Sequence, residues 1–164
     1  MEVVISFSRI NELGRFLEGK QDKIVLVGGC FDVLHPGHVV FLRNAKAQGD
    51  ILVVLLESDA TVRKIKGDNR PLHNQKERAQ ILSALRFVDY VVLLPLMSDN
   101  GAYDAIVKTL RPAVIATTRP DSAVGHKKRC AKLVGAKLVY VNSIQPKHSS
   151  TKLIGYLQEA YDKR

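Results

Sequence analysis

Five separate runs of aliphatic and β-branched residues constrain the fold of this 164-residue chain more than any other feature. Most of the runs are continuously apolar rather than alternating, which is typical of parallel strands that are covered on both faces. Their spacing is broadly regular, and it leaves room for a helix between neighbouring runs. The runs are Lys23–Val27, Ile51–Leu56, Tyr90–Leu94, Ala113–Ala116 and Lys137–Val141.

The segments between these runs carry helix signals. Pro36 occupies a position typical of a first helical residue. Asn74, followed by Glu77 three residues later, resembles a capping pair, and Ser149 or Ser150 could cap a final helix. Strands that alternate with helices predict an α/β protein, a three-layer Rossmann-like domain with a five-stranded parallel sheet and right-handed crossovers.

Residues 1–164 are predicted to form one domain, because no linker, repeat or low-complexity tract divides them and the length suits a single core. The first 22 residues are expected to add an N-terminal helical extension. Its amphipathic helix runs through Ile10, Leu13, Phe16 and Leu17.

Composition narrows the environment of the chain. The longest aliphatic run, Ile51–Leu56, is far shorter than the roughly 20 residues of a membrane helix, and the start does not resemble a secretory signal. Cys30 and Cys130 form no C-x-x-C pair, so neither a disulfide framework nor a zinc site is expected. These features predict a cytoplasmic protein with no membrane partner. The net charge of +9 favours an anionic ligand without choosing among nucleotides, nucleic acid and phosphorylated metabolites.

The stretch at residues 28–38 directly follows the first apolar run and reads Gly-Gly-Cys-Phe-Asp-Val-Leu-His-Pro-Gly-His. Its glycines let the backbone approach a ligand, and the helix that Pro36 begins presents unpaired amides to an anion. His35 and His38 flank that start, so both rings could reach one phosphate; a buried structural role for His38 is the alternative. Ligands of open parallel sheets bind beyond the carboxyl ends of the strands, so we predict a phosphate site here.

Two further segments are candidates for holding anions. Residues 63–71 contain four cations within eight residues, beside a glycine and a proline. This pattern predicts a mobile basic loop that could clamp a triphosphate, with a solvated charged surface as the alternative. Residues 147–152, at the start of the last predicted helix, offer hydroxyl and amide groups for a second anion, with simple helix capping as the alternative.

The stretch at residues 29–38 resembles the signature G-x-F-D-x-x-H-x-G-H of the cytidylyltransferase-like nucleotidyltransferases. The resemblance covers most of the chain, from about Ile24 to Leu157. Within that family, residues 57–59 and 64–71 are most similar to those of heptose-1-phosphate adenylyltransferases. The triplet at residues 149–151 is similar to the Ser-Thr-Thr element of the family's last helix.

This resemblance implies a reaction and a set of site residues. An acceptor phosphate oxygen attacks the α-phosphorus of a nucleoside triphosphate, ATP by preference, and pyrophosphate leaves. The implied acceptor is a phosphorylated sugar such as heptose 1-phosphate, and Mg²⁺ is expected to bind through the nucleotide phosphates without a protein metal site. His35, His38 and Lys66 are the expected catalytic residues. The expected nucleotide-binding residues are Gly29, Cys30, Phe31, Asp32, Gly37, Lys64, Arg70, Thr117, Arg119, Ser149, Ser150 and Thr151.

Two departures from the family pattern keep alternatives open. Where these enzymes have a Gly-Asp-containing stretch after the fourth strand, residues 117–121 read Thr-Thr-Arg-Pro-Asp. Base preference and acceptor identity therefore stay open, and a non-catalytic nucleotide sensor is one alternative. A CTP-dependent glycerol-3-phosphate cytidylyltransferase is another, although the arginine that those enzymes carry before the last triplet is absent. Nucleic acid is not an expected partner, because no nucleic-acid-binding module is present. A homodimer is compatible with the resemblance.

Overall fold

The computed structural model describes residues 1–97, 99–143 and 150–162. Within these residues, six parallel strands form one sheet that helices cover on both faces. None of the helices in this part of the chain is both long and apolar enough to cross a membrane. The strands are β1 (Val4–Ser6), β2 (Ile24–Gly29), β3 (Ile51–Leu56), β4 (Tyr90–Leu93), β5 (Val114–Arg119) and β6 (Lys137–Ser143). The helices are α1 (Ile10–Glu18), α2 (Pro36–Lys46), α3 (Asp59–Lys66), α4 (Gln75–Ser83), α5 (Asn100–Leu110), α6 (Val124–Val134) and α7 (Ser150–Asp162).

The predicted α/β class and the parallel sheet are confirmed, but the predicted number of five strands is wrong. The sixth strand is β1, which lies at the edge of the sheet with Val4 opposite Val91 and Ser6 opposite Leu93. Three residues are too few to show a strand pattern, and the pairing with β4 makes them a strand. Besides β1, the first 22 residues contain the expected amphipathic helix, α1.

The strand order β1-β4-β3-β2-β5-β6 places β2 and β5 side by side. From β2 the chain proceeds through β3 to β4 in one direction, and it then crosses back to β5 and β6 in the other. At such a reversal, the connections after two neighbouring strands leave toward opposite faces and open a crevice beyond their carboxyl ends. The stretch at residues 28–38 begins in β2 and therefore lies at this crevice.

Strand side chains alternate between two buried clusters, one on each face of the sheet. On one face α1, α5 and α6 contribute residues such as Leu13, Ile106 and Cys130. On the other face α2 and α4 contribute residues such as Leu42 and Leu82. The central strand β3 is buried at all six of its positions, which explains why its sequence is apolar without alternation.

Helix starts follow the expected capping chemistry. Before α4, Asn74 Oδ1 accepts a hydrogen bond from the backbone N–H of Glu77 at 3.1 Å, and Glu77 Oε2 accepts one from the backbone N–H of Asn74 at 2.9 Å. This reciprocal pair is a capping box, which satisfies two helix amides that otherwise lack a partner. Pro36 is the first residue of α2, as predicted.

Candidate active site

The centre of the candidate site is the connection from β2 to α2, residues 30–35, which we call the phosphate turn. Its last residue, His35, is the N-cap of α2 and has an extended backbone with φ of −138° and ψ of 166°. The carbonyl of His35 accepts the first helical hydrogen bond, from His38 N at 2.9 Å. The side chain of His35 makes no capping hydrogen bond. The first amides of α2 and its positive dipole end therefore face the crevice beside β2.

Two histidine rings stack on each other at this helix start. The ring centroids of His35 and His38 are 3.8 Å apart and their planes differ by 22°. Burial lowers the pKa of His38 to about 3, and the charges of His35 and Lys66 act in the same direction. The buried Nδ1 atom of His38 has no hydrogen-bond partner among the described residues. At neutral pH, His38 is therefore a neutral imidazole, and its ring hydrogen-bonds to the backbone of Val33.

The ring of Phe31 packs against the histidine pair. It is buried and lies 5.3 Å from the His38 ring, centroid to centroid. Phe31 has a left-handed backbone with φ of 43°, which turns its ring back toward β2. A Cβ atom at Gly29 would lie 3.0 Å from the ring edge. Gly29 is expected from the sequence to open space for a ligand, and it also makes room for this aromatic ring.

A buried ion pair connects the phosphate turn to the segment after α3. The guanidinium of Arg70 contacts the carboxylate of Asp32, whose Oδ1 atom also accepts a hydrogen bond from Leu72 N at 2.8 Å. The Asp32 side chain is fully buried and that of Arg70 nearly so. Such a pair is costly to break, because either partner alone would be an uncompensated buried charge. It anchors the segment beside the turn, and a direct contact of either residue with nucleotide stays a prediction.

The basic segment at residues 63–71 is partly helical, and the expectation of a mobile loop along its whole length is wrong. Helix α3 continues to Lys66, and Gly67 ends it with φ of 98°. The start of α3 is fixed because Ser58 Oγ accepts a hydrogen bond from Thr61 N at 3.2 Å. Lys66 lies close enough to the phosphate turn for its charge to act on His38. A cation on a helix end is better positioned than one on a free loop.

Arg78, on α4, is a site residue that sequence reasoning missed. Its guanidinium is fully buried and ties together the carboxyl ends of β2 and β3. It donates hydrogen bonds to the carbonyls of His73 (3.0 Å), Cys30 and Glu57 (2.9 Å), and to Asp59 Oδ1 (2.7 Å). The carbonyls of Cys30 and Glu57 directly follow β2 and β3, beyond the hydrogen-bonded part of the sheet. Arg78 therefore fixes the backbone on which the site is built.

A signal for Arg78 exists in the sequence. It lies four residues before Leu82, so both share one face of α4. That face is buried through Ala79 and Leu82. A charged residue is rarely fully buried unless it is paired, so an arginine in the apolar stripe of a helix predicts acceptors beneath it.

The segment after β5 is closed by its own hydrogen bonds. Thr117 Oγ1 donates to Asp121 Oδ2 at 2.5 Å, and Lys127 Nζ donates to both atoms, at 3.0 and 2.9 Å. Arg119 is exposed, and its guanidinium lies 4.0 Å from the ring centroid of Tyr140. Thr117 and Arg119 thus lie at the carboxyl end of β5, which is the neighbour of β2. Their role in nucleotide binding stays a prediction.

The start of α7 contacts the phosphate turn. Ser150 is buried, and its hydroxyl donates a hydrogen bond to the carbonyl of Val33 at 3.2 Å. Thr151, the next residue, is exposed. Ser149 lies outside the described residues. The start of α7 is therefore in contact with the phosphate turn, although Ser150 and Val33 are 117 positions apart in the chain.

Magnesium has no protein cage in this part of the chain. Across residues 1–97, 99–143 and 150–162, no group of three or more His, Cys, Asp or Glu side chains could hold a metal ion. Asp32, the acidic residue of the phosphate turn, is already bonded to Arg70 and Leu72. Asp32 is therefore committed to contacts within the protein. That Mg²⁺ is bound through the nucleotide phosphates stays a prediction.

Comparison with curated proteins finds relatives that share much of this chain. The bifunctional protein HldE of Geobacter metallireducens is 41% identical over 142 residues, which cover 85% of this chain and 28% of that protein. HldE of Helicobacter pylori strain Shi470 is 43% identical over 106 residues, covering 65% of this chain and 22% of that protein. The chain thus spans about a quarter of the length of these relatives.

Solved structures show the same architecture. A lipopolysaccharide core biosynthesis protein from Thermoplasma volcanium is 27% identical and superimposes with a TM-score of 0.59, over 76% of this chain and 97% of its own. A pantoate-β-alanine ligase from Francisella tularensis gives a TM-score of 0.62 over 92% of this chain and 75% of its own; at 17% identity, the likeness shows the fold alone. The family model described as cytidylyltransferase-like matches residues 26–156. The chain belongs to the cytidylyltransferase-like family of nucleotidyltransferases.

Proposed function

We propose that this chain transfers AMP from ATP to a phosphorylated sugar, such as heptose 1-phosphate, and releases pyrophosphate. The reaction class follows from membership of the cytidylyltransferase-like family. The choice of ATP and of a sugar phosphate rests on the similarity of residues 57–59 and 64–71 to heptose-1-phosphate adenylyltransferases.

The stacked pair of His35 and His38 at the N-terminus of α2 carries this proposal. The reaction must bring two anionic substrates together and offset the negative charge that develops around the α-phosphorus. Preorganised donors and cations are most effective where such charge develops. The helix amides and the nearby Lys66 ammonium supply two kinds of such groups, and the His38 ring lies beside them.

The proposed reaction needs no nucleophile from the protein, because the acceptor phosphate is already anionic. One of its oxygens bonds to the α-phosphorus, and the bond from that phosphorus to the oxygen bridging to the β-phosphate breaks. The electron pair leaves with pyrophosphate. When bound with the nucleotide, Mg²⁺ neutralises part of the triphosphate charge.

The residues of the chain have separate roles in this scheme. His35 and His38 contact the phosphates around the reacting centre. Lys66, assisted by Lys64, provides a flexible point charge for the triphosphate. Ser150 and Thr151, at the start of α7, bind triphosphate oxygens. Catalysis arises mainly from positioning and from electrostatic stabilisation of the transition state.

A matrix of substrates tests the proposal. Pyrophosphate release is measured with Mg²⁺ and either ATP or CTP, each with heptose 1-phosphate or glycerol 3-phosphate. We expect release with ATP and heptose 1-phosphate, and mass spectrometry should identify the nucleotide-activated heptose. Addition of EDTA should stop the reaction, because the triphosphate is then not neutralised.

Other outcomes identify the alternatives. Release with CTP and glycerol 3-phosphate indicates a cytidylyltransferase. No release from any combination, with nucleotide binding intact, contradicts a transferase acting on these acceptors and favours a nucleotide sensor. The network of Thr117, Asp121 and Lys127 after β5 is the first place to examine in that case.

A further inference from the structure

Glu57, at the carboxyl end of β3, presents a carboxylate beside a site that handles two anionic substrates. Its backbone N–H donates to the carbonyl of Gly29 at 3.1 Å, so it lies next to the phosphate turn. Leu56, the residue before it, pairs with Gly29 in the sheet register. The scheme above gives Glu57 no role, and a negative charge there opposes phosphate binding.

The side chain of Glu57 is held in one orientation from the far side of the sheet. The hydroxyl of Tyr103, on α5, lies 2.9 Å from Oε1 and 3.1 Å from Oε2 and donates to this carboxylate. Tyr103 is itself positioned by His126 of α6, with an edge-on ring contact at 5.1 Å. Two helices on one face of the sheet therefore support a carboxylate at its carboxyl edge.

The surroundings of Glu57 act on its pKa in opposite directions. Burial raises the pKa of Glu57, while hydrogen bonds from Tyr103 and Thr61 and the charge of Arg78 oppose that rise. Burial raises the pKa of the Cys30 thiol, the Lys66 charge lowers it and the Glu57 charge raises it, so Lys66 and Glu57 both lie near that residue of the phosphate turn. The guanidinium of Arg78 pairs with Asp59, and its charge is the smallest of the effects that oppose burial at Glu57.

The carboxylate has acceptor capacity left over. Its two oxygens offer about four lone-pair sites, and the hydroxyls of Tyr103 and Thr61 use only part of them. Glu57 is half-buried, so a ligand can reach the rest. Hydroxyl groups of a ligand can donate to the acceptor sites that Tyr103 and Thr61 leave available.

We propose that Glu57, positioned by Tyr103, selects the acceptor by accepting hydrogen bonds from its sugar hydroxyl groups. This assignment rests on the proposed function, in which the acceptor is a phosphorylated sugar. It divides recognition between two neighbouring regions. The cations and the helix start of the phosphate turn bind the acceptor phosphate. Glu57 accepts hydrogen bonds from the hydroxyl groups of the sugar to which that phosphate is attached.

Direct binding tests the assignment without requiring turnover. Heptose 1-phosphate and methyl phosphate are each titrated calorimetrically into the protein saturated with Mg²⁺ and α,β-methylene-ATP. Glu57→Gln should weaken the binding of heptose 1-phosphate about 10- to 100-fold, which is the effect of losing a hydrogen bond to a charged group. Methyl phosphate has no hydroxyl for Glu57, so it should bind Glu57→Gln as well as wild type or more tightly, because a repulsive charge is removed.

Two further variants separate recognition from folding. Tyr103→Phe keeps the carboxylate but removes the hydroxyl that orients it. This variant should weaken the binding of heptose 1-phosphate by a smaller factor and leave the affinity for methyl phosphate unchanged. Glu159→Gln makes the same chemical change at an exposed residue of α7 and should alter neither affinity.

The assignment is overturned if Glu57→Gln changes the affinities for heptose 1-phosphate and methyl phosphate by the same factor, or changes neither affinity. It is also overturned if the variant instead shifts the Mg²⁺ dependence of nucleotide-analogue binding, because Glu57 is then a metal ligand. Binding of neither phosphate by wild type overturns it as well. Selective binding of heptose 1-phosphate by wild type, without pyrophosphate release from ATP, refutes the proposed reaction alone and leaves Glu57 to be decided by the titrations.

Discussion

The guanidinium of Arg78 donates a hydrogen bond to the carbonyl of Cys30, although the two residues are 48 positions apart in the chain. Arg78 lies on α4, beneath one face of the sheet, and Cys30 is the first residue of the phosphate turn. The turn is therefore shaped by a buried cation of α4. Its position depends on the packing of α4 as much as on its own sequence.

Replacement of Arg78 by methionine is expected to destabilise the protein by about 3–5 kcal/mol, because it leaves buried acceptors without a donor. These include the carbonyls of Cys30 and Glu57. Urea denaturation measures the loss. Arg86→Met, at an exposed arginine, should cost less than about 0.5 kcal/mol. Equal losses for the two variants contradict a structural role for the buried guanidinium.

Replacement of His38 by alanine should lower turnover about 100- to 1,000-fold, because its proposed contact with the reacting phosphates is lost. Circular dichroism should still show a folded protein, and pyrophosphate release with ATP and heptose 1-phosphate measures the rate. His73→Ala provides the control, since His73 is exposed. An active and well-folded His38→Ala enzyme removes His38 from the mechanism.

The buried imidazole of His38 also predicts a pH dependence of stability. Burial lowers the pKa of His38 from its ordinary value of 6.5 to about 3 in the folded protein. Between these two values the unfolded chain binds more protons than the native protein, so the free energy of unfolding rises with pH. Above pH 6.5 this contribution is constant.

Urea denaturation at several pH values checks this expectation. The stability of wild type relative to His38→Gln should decrease as the pH falls from about 6.5 toward 3, because only wild type has the titrating imidazole. NMR of the folded protein gives an independent measurement. Ring protons of His38 that titrate near pH 6.5 contradict the buried neutral state.

Two glycines predict opposite effects of the same substitution. A Cβ atom at Gly14, on α1, would lie 2.8 Å from Thr109 Cγ2 and 2.9 Å from Thr109 O, on α5. Gly14→Ala should therefore cost about 1–3 kcal/mol through overpacking. A Cβ atom at Gly125, on α6, would meet nothing within 4 Å, so Gly125→Ala should stabilise the protein by about 0.5–1 kcal/mol.

Thermal unfolding of both glycine variants measures these changes. The comparison is matched, because each variant adds one methyl group to a helix. A stabilised Gly14→Ala protein is incompatible with the close approach of α1 to α5.

Local signals in the sequence were sufficient for the class of the fold and for the phosphate turn. Strands covered on both faces are apolar at every position, so β3 is recognisable without knowledge of its neighbours. His35 and His38 lie on either side of one helix start, and the geometry of a strand-to-helix turn brings them together over four residues. The catalytic roles assigned to them stay predictions.

Contacts between distant parts of the chain had no comparable local signal. Strand β1 becomes a strand only through its pairing with β4. The resemblance implies that Arg70 binds nucleotide, but no local pattern predicts its contact with Asp32, which lies 38 positions away. Tyr103 and Glu57 are 46 positions apart and carry no pattern that pairs them.

The sequence by itself determined the alternation of strands and helices and the location of the phosphate turn, because hydrophobic periodicity and helix-start chemistry act over a few residues. Only the tertiary structure decided which charged side chains face the phosphate turn and which are buried and paired inside the protein. Arg78, Asp32 and Glu57 depend on the order of the strands in the sheet. That order results from the packing of both faces at once, and no short segment of the chain encodes it.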